Sequence, residues 1–534
     1  SKVQTMAQAT IVSRTLQTTL LLWVAVARVA HGYDNGAPHS RMPPLGWSSW
    51  VALGQGWDTD EPHHPYVDFC DEVSVKASID AFFEVGLYAA GYRHFRLDDC
   101  WADKHRNASG YLQADRVNFP NGMRPLIDYA HGRGLSFGLY TCAGKRTCAH
   151  GRMGSKGHFQ QDAAVFAEWK VDSVKMDWCG THGMDPQDTF TEFSEALNAT
   201  GRPIHLNMCE WGYNEPFEWG PAVAQSWRAT GDHHGSWSST SHEVEVRATR
   251  VPAELAGAPY AWNDLDLLQT GNYHQAGRPD DVFGSMTATE YLTEFSMWAI
   301  LASPLIVTTP LLNCSSTDAT KGRFTPTRCR PALTALQQEI LFNTEVIAIN
   351  QDVTPGGRRV WPLPSATLKS TGSGSKANCS VFYKDSNEPC GLDHGFGCNP
   401  QANTMWVANK CRGAFTCNGI QEVLCPPPPH PNKSLDSNIT CDCISHAPSP
   451  GVQVFVRNLS NGDAAVALYN PDDAAASIKL NFSWAGFQSG MPVQVRDLWK
   501  HVDLGVFQDE LPLTTVERHE AIVLRVSPHS RFAE

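Results

Sequence analysis

The chain has 534 residues, a formal net charge of −13, 17 tryptophans and 16 cysteines. That length predicts two or more domains. The acidic balance excludes the basic footprint of a nucleic-acid binder, and beyond the first 30 residues no apolar stretch is long enough for a membrane helix.

Residues 1–30 read as a secretory signal peptide. Arg14 supplies positive charge, Leu20 to Ala27 form an apolar run too short to span a bilayer, and Ala25-Val26-Ala27 is a small-x-small cleavage site. The cysteine count fits an oxidising compartment. So do eight N-x-S/T sequons, at Asn107, Asn198, Asn313, Asn378, Asn432, Asn438, Asn458 and Asn481. Cys441-Asp442-Cys443 is too tight for a zinc knuckle and no Cys-x2-Cys pair occurs, so disulfides are the expected use of the cysteines. The expected location is the secretory pathway, either outside the cell or in a lysosome or vacuole.

From about residue 40, short apolar runs alternate with helix-length segments. The strand candidates are Pro44–Trp50, Tyr92–Asp98, Leu135–Thr141, Ser173–Asp177, Ile204–Cys209, Ser226–Thr230, Tyr260–Trp262 and Pro304–Thr308. Between them lie the amphipathic stretches Val75–Ala90, Arg124–Gly132, Gln160–Lys170, Asp188–Ala199 and Thr289–Ala302. Eight strands with helices between them predict a parallel sheet closed into a (β/α)8 TIM barrel over residues 33–352. Residues 353–534 form a second domain. Within it, a Cys-rich, Pro- and Gly-rich insert at about 364–450 holds eight of the cysteines, and no pairing among those can be deduced. Then come the short strands Val452–Arg457, Ala464–Tyr469, Ser477–Phe482, Val493–Leu498 and Ala521–Val526, which predict a C-terminal antiparallel β-sandwich. The expected fold class is therefore α/β.

The strand ends are chemically unusual. Trp47, Asp98 and Asp99, Tyr140, Lys175 and Asp177, Glu210, Arg228 and Asp232, and Asp264 and Asp266 all follow or close a strand candidate. In such a barrel the C-terminal strand ends build the active site. Carboxylates with a lysine, an arginine and indole rings can fork hydrogen bonds to vicinal hydroxyls and stack on a sugar face. Two carboxylates are what glycoside hydrolysis requires. Lys175 lies two residues before Asp177, on the same side of the strand, so its charge is expected to keep Asp177 ionised.

At these residues the chain resembles the α-galactosidases of glycoside hydrolase family 27. The likeness rests on Met42-Pro43-Pro44-Leu45-Gly46-Trp47, Leu97-Asp98-Asp99-Cys100-Trp101, Gly138-Leu139-Tyr140, Lys175-Met176-Asp177, Cys209-Glu210-Trp211-Gly212, Ser226-Trp227-Arg228 with Asp232, and Trp262-Asn263-Asp264, in order over roughly residues 33–352. The resemblance implies a retaining exo-glycosidase that releases terminal α-D-galactose from oligosaccharides, glycolipids or glycoproteins. Asp177 would be the nucleophile and Asp232 the acid/base, about 5–5.5 Å apart. Asp98 and Asp99 would bind the 6- and 4-hydroxyls and Lys175 the 3- and 4-hydroxyls. Glu210 and Arg228 would lie near the 2-hydroxyl, Trp47 and Tyr140 would line the ring, and Asp266 is a further pocket position. The resemblance also implies disulfides Cys70–Cys100 and Cys148–Cys179; Cys314–Cys329 is paired on proximity. Cys142 stands where many members carry an acidic or small residue, as a candidate free thiol. No cofactor or metal is expected, no membrane or nucleic-acid partner, and a homodimer is the family's frequent state.

Three other readings compete. An α-N-acetylgalactosaminidase would replace Glu210 with a smaller residue, and Glu210 is present. A non-catalytic galactose-binding protein would have lost an acid, and both are present. A metal hydrolase would use Asp232-His233-His234 or Asp98-Asp99, but adjacent histidines on a strand face opposite ways. For single residues the plainer readings stay open: Asp264 as a strand cap, Trp50 and Trp101 as core, His94 as structural.

Overall fold

The computed structural model describes residues 32–52, 70–272, 286–314, 329–362 and 451–529, with the backbone of six strands between 379 and 442. The signal-peptide segment lies outside the described residues. Eight parallel strands form one sheet: β1 (Leu45–Ser48), β2 (His94–Leu97), β3 (Ser136–Cys142), β4 (Ser173–Asp177), β5 (His205–Cys209), β6 (Ser226–Arg228), β7 (Trp262–Asp264) and β8 (Leu305–Val307). β1 pairs with both β2 and β8. The ring closes beyond β7, where Leu268 bridges Val307 in parallel through Leu268 N–H to Ile306 O (2.9 Å) and Thr308 N–H to Leu268 O (3.0 Å).

Helices cover the outside because their apolar stripes need the sheet. Asp71 starts the helix Glu72–Glu84 with a capping box to Ser74, and Thr287 starts Ala288–Ile300 with one to Glu290. Two expectations shift. The seventh strand is Trp262–Asp264 rather than Tyr260–Trp262, because Ala258 and Ala261 exchange both backbone hydrogen bonds and force Tyr260 into a turn at φ 66°. A helix also runs over Trp237–Arg250, capped by Ser236. Its buried face includes Glu243, Glu245 and Arg247 beside Val244 and Val246, so it carries little apolar periodicity to read.

The C-terminal domain contains a six-stranded antiparallel sheet in the order Arg358–Trp361, Gln453–Asn458, Ala464–Tyr469, Ala521–Pro528, Pro492–Asp497, Val502–Gln508, and a two-stranded sheet of Ala476–Asn481 with Glu510–Val516. The strand period of two splits its residues between two cores. Phe455, Ala465, Ala467, Tyr469, Ala521 and Val523 join the barrel core, while Val454, Val456, Val466, Leu468, Ile522 and Leu524 fill the sandwich. The Cys-rich insert contributes two three-stranded sheets, Cys379–Lys384 with Gly413–Cys417 and Ile420–Leu424, and Phe396–Asn399 with Thr404–Val407 and Ile439–Asp442. Cys379 and Cys417 are register partners there.

Arg457 locks the two domains. Its guanidinium is buried and donates to the carbonyls of Ala299, Ile349, Asn350, Asp352 and Thr354 at 2.7–3.3 Å, and burial pulls its pKa down to about 10. Arg457→Met leaves those acceptors without their donor, at roughly 1–3 kcal/mol per stranded group. The expected result is a thermal midpoint lowered by several degrees with the far-UV spectrum unchanged; an unchanged midpoint would refute the lock.

Candidate active site

The strand period turns the sequence-predicted acids inward. Tyr140 registers with Lys175 and Lys175 with Asn207; two residues on, Cys142 registers with Asp177 and Asp177 with Cys209. Val174 and Met176 point outward into the core. Asp177 is held at both oxygens: the Tyr140 hydroxyl donates to Oδ2 (2.7 Å) and the Trp178 amide to Oδ1 (2.9 Å). Lys175 Nζ lies 3.3 Å from Asp98 Oδ2, and the Arg96 guanidinium approaches the same oxygen at 3.7 Å. Arg228 is buried and bridges two carboxylates, Asp232 Oδ1 at 3.2 Å and Asp266 Oδ1 at 3.1 Å. It also donates to the Gly231 carbonyl. Asp232 alone among these acids is solvent-exposed, its side chain 63% accessible.

Burial dominates the electrostatics. It raises Asp177 to about 6, although Lys175 pulls the other way. Lys175 favours the ionised form of Asp177, as expected, but its ammonium bonds to Asp98 and desolvation of the carboxylate outweighs its field, so the carboxyl ends above its usual range. Burial raises Glu210 to about 8. This side chain is fully buried, and neither carboxyl oxygen accepts a hydrogen bond from another residue. Burial would raise Asp266 as well, but Arg228 and Lys175 outweigh it and the carboxyl is lowered.

Asp98, Tyr140, Lys175 and Asp177 are joined by direct contacts or strand register, as are Arg228, Asp232 and Asp266 by their ion pairs; Cys209, in register with Asp177 and 3.5 Å from Arg228 Nη1, links the two groups. Asp99 turns aside, its Oδ2 accepting from the Ala149 and His150 amides while Oδ1 is buried without a partner. Trp47 does not line the site. It is fully buried, packs against Phe95 at 4.6 Å on the outer face of the sheet and donates to Thr309 O. The inward neighbour is Gly46, where a Cβ would fall 2.4 Å from that of His94. Trp50, a strand-end residue for which the sequence leaves a core role open, lies beside the site instead: it is half-buried, with Lys175 Nζ 6.0 Å from its ring. The signal was strand length, since β1 ends at Ser48 and Trp50 follows it. Asp264 caps the turn by accepting from Asp266 N–H (2.9 Å), which admits Asp266 at φ 74°. Trp101 is core, and His94 bonds to Ser136. Arg96 and Asn207, absent from the sequence reading, support the site through Arg96 Nη1 to Asn207 Oδ1 (3.2 Å) and Asn207 Nδ2 to Asp264 Oδ2 (3.0 Å).

Disulfides Cys70–Cys100 and Cys148–Cys179 brace the loops, the second with both sulfurs within 4.8 Å of the Asp177 carboxylate. Those sulfurs are bonded to each other and offer no thiolate to a metal. Cys329 is disulfide-bonded and registers with Cys314. Cys142 and Cys209 are free, buried thiols. Of the sequon asparagines, Asn313, Asn458 and Asn481 are exposed and Asn107 and Asn198 half-buried; Asn378, Asn432 and Asn438 lie outside the described residues.

A closed parallel barrel with paired carboxylates at its C-terminal strand ends, followed by an antiparallel sandwich, defines a barrel glycoside hydrolase. The family model described as alpha galactosidase A matches residues 42–322, and that of the alpha galactosidase C-terminal beta sandwich domain matches 449–526. The chain belongs to the α-galactosidase family. It is 37% identical to α-galactosidase A of Cellvibrio japonicus over 340 residues, covering 62% of this chain and 72% of the relative. It is 29% identical to a probable α-galactosidase of Dictyostelium discoideum over 511 residues, covering 96% and 98%. The crystal structure of α-galactosidase I from Mortierella vinacea shares the fold with a TM-score of 0.63 at 24% identity, covering 92% of this chain and 98% of that one.

Proposed function

We propose that the chain is a retaining exo-α-galactosidase of the secretory pathway. One observation carries the mechanistic reading: Asp177 is fixed at both oxygens inside the barrel mouth, while Asp232, held by Arg228, remains open to solvent. The buried carboxylate attacks the anomeric carbon and forms a glycosyl ester as the bond to the aglycone oxygen breaks. Asp232 gives its proton to that oxygen, then takes one from the water that cleaves the ester and frees Asp177. Asp98, Lys175, Tyr140 and Trp50 surround the ring. Glu210 is protonated below pH 8, so it can both donate to and accept from a 2-hydroxyl, and its buried oxygens are free to do so. The names of the relatives support galactose as the sugar.

The test is hydrolysis of an α-galactoside and an α-N-acetylgalactosaminide side by side, with proton NMR following the first-formed anomer. The reading expects galactoside cleavage with the α-anomer released first, and at least a hundredfold preference over the N-acetyl sugar. Preference for the N-acetyl sugar would move the activity to the neighbouring specificity. Release of the β-anomer would overturn retention.

A further inference from the structure

Immediately after Asp232, His233 is turned away from the substrate side. Its ring is fully buried: Nε2 lies 2.8 Å from Glu294 Oε1, and Nδ1 lies 3.0 Å from Ser239 Oγ. Glu294 is equally buried, on the inner face of the helix Ala288–Ile300. A carboxylate only accepts, so the ring proton sits on Nε2. The Ser239 hydroxyl already accepts from His234 N–H (2.9 Å) and has its own proton to give to Nδ1. Every donor is then used.

Glu294 does more than hold the ring. The Gln269 amide donates to Oε1 (2.8 Å) and the Thr270 hydroxyl to Oε2 (3.4 Å), so one side chain ties the loop after β6 to the loop after β7. One turn on, Trp298 packs against the His233 ring at 4.9 Å and donates to Asp266 O (2.9 Å). Asp266 in turn accepts His233 N–H (3.0 Å) and pairs with Arg228, which grips Asp232. The exposed Asp232 thus rests on a closed circuit of buried groups whose far anchor is the Glu294–His233 pair.

We propose that His233, anchored by Glu294, is a positioning residue for Asp232 that fixes the acid/base for proton delivery; this rests on the acid/base reading of Asp232. A buried His–carboxylate pair is costly unless fully bonded, and geometric slack of about 1 Å in a catalytic group can cost about a hundredfold in rate. The pair therefore governs steps that need a proton and leaves others alone.

The experiment measures kcat/KM for an alkyl α-galactoside, whose leaving oxygen needs protonation, and for 2,4-dinitrophenyl α-galactoside, whose leaving group does not. His233→Ala and Glu294→Ala are expected to lose tenfold or more on the alkyl substrate and less than threefold on the dinitrophenyl one. His233→Gln, which keeps a donor for Glu294, is expected to recover most of the loss. Equal losses on both substrates, or no loss on either, would overturn the proposal. Should the alanine variants fail to fold, His233→Gln against His233→Leu makes the same comparison. Asp232→Asn is run alongside. If it shows the substrate split and the His233 and Glu294 variants do not, only the positioning role falls. If it shows no split, the acid/base assignment falls first.

Discussion

Asp177→Asn is expected to lower kcat on α-galactosides by at least about 10⁴-fold while the protein stays folded, because the proposed mechanism then loses its covalent nucleophile and keeps only binding and electrostatics. The amide still accepts from Trp178 N–H and can donate to Tyr140, so the site's hydrogen bonds survive. The pH dependence follows from burial. The Asp177 carboxyl is raised to about 6, so wild-type kcat/KM should climb through pH 6 as the proton leaves. Tyr140→Phe removes a donor that favours the carboxylate, and the acid limb should move to higher pH. Stability has its own sign. A carboxyl raised on folding contributes stability that is present below its unfolded value near 4 and lost as pH rises through about 6. Asp177→Asn does not titrate, so its melting temperature should gain on wild type across that window and stay level above it. An acid limb near pH 4, with no shift in Tyr140→Phe, would show that the carboxylate is not desolvated and would sink the account.

Much of this site was legible because a period of two is hard to disguise. Val174-Lys175-Met176-Asp177 places two charged groups on one face of a strand whose other face is apolar, and the structure turns that face inward. At β1 it was the family likeness that misled, and the alternation corrects it. Trp47 looked like the aromatic wall, but Gly46 occupies the inward position, and the strand ends soon enough for Trp50 to follow it into the site. No local pattern says where a four-residue strand stops. The helix Trp237–Arg250 was invisible for another reason: it buries Glu243, Glu245 and Arg247, Glu245 against Arg359 of the second domain at 2.8 Å, and a buried charge reads as solvent-facing until its partner is known. His233 belongs to the same class. Its partner Glu294 is 61 residues away, and neither residue alone carries a signal.

Glu210 joins stability and function most directly. The side chain is fully buried, its oxygens accept nothing from another residue, and burial holds its carboxyl at about 8. A carboxyl so placed costs stability whenever it ionises. Between its unfolded value near 4.3 and about 8, the folded state binds the proton that the unfolded chain gives up, so stability falls steadily as pH rises. Glu210→Gln removes that titration and keeps a neutral side chain of the same shape. The two proteins should melt together near pH 4 and diverge with rising pH. Above pH 8 the variant should be ahead by up to about 5 kcal/mol, the span of the pKa change at 1.36 kcal/mol per unit. Activity should move the other way only modestly, about tenfold or less in kcat/KM, since the protonated acid and the amide offer a sugar hydroxyl similar groups. A gap in melting temperature that does not grow with pH would mean that Glu210 titrates normally, and the unpartnered carboxyl would have to be bonded in solution. The predicted divergence would mark Glu210 as a residue that the fold tolerates at a cost, one that only a polar ligand at its oxygens offsets.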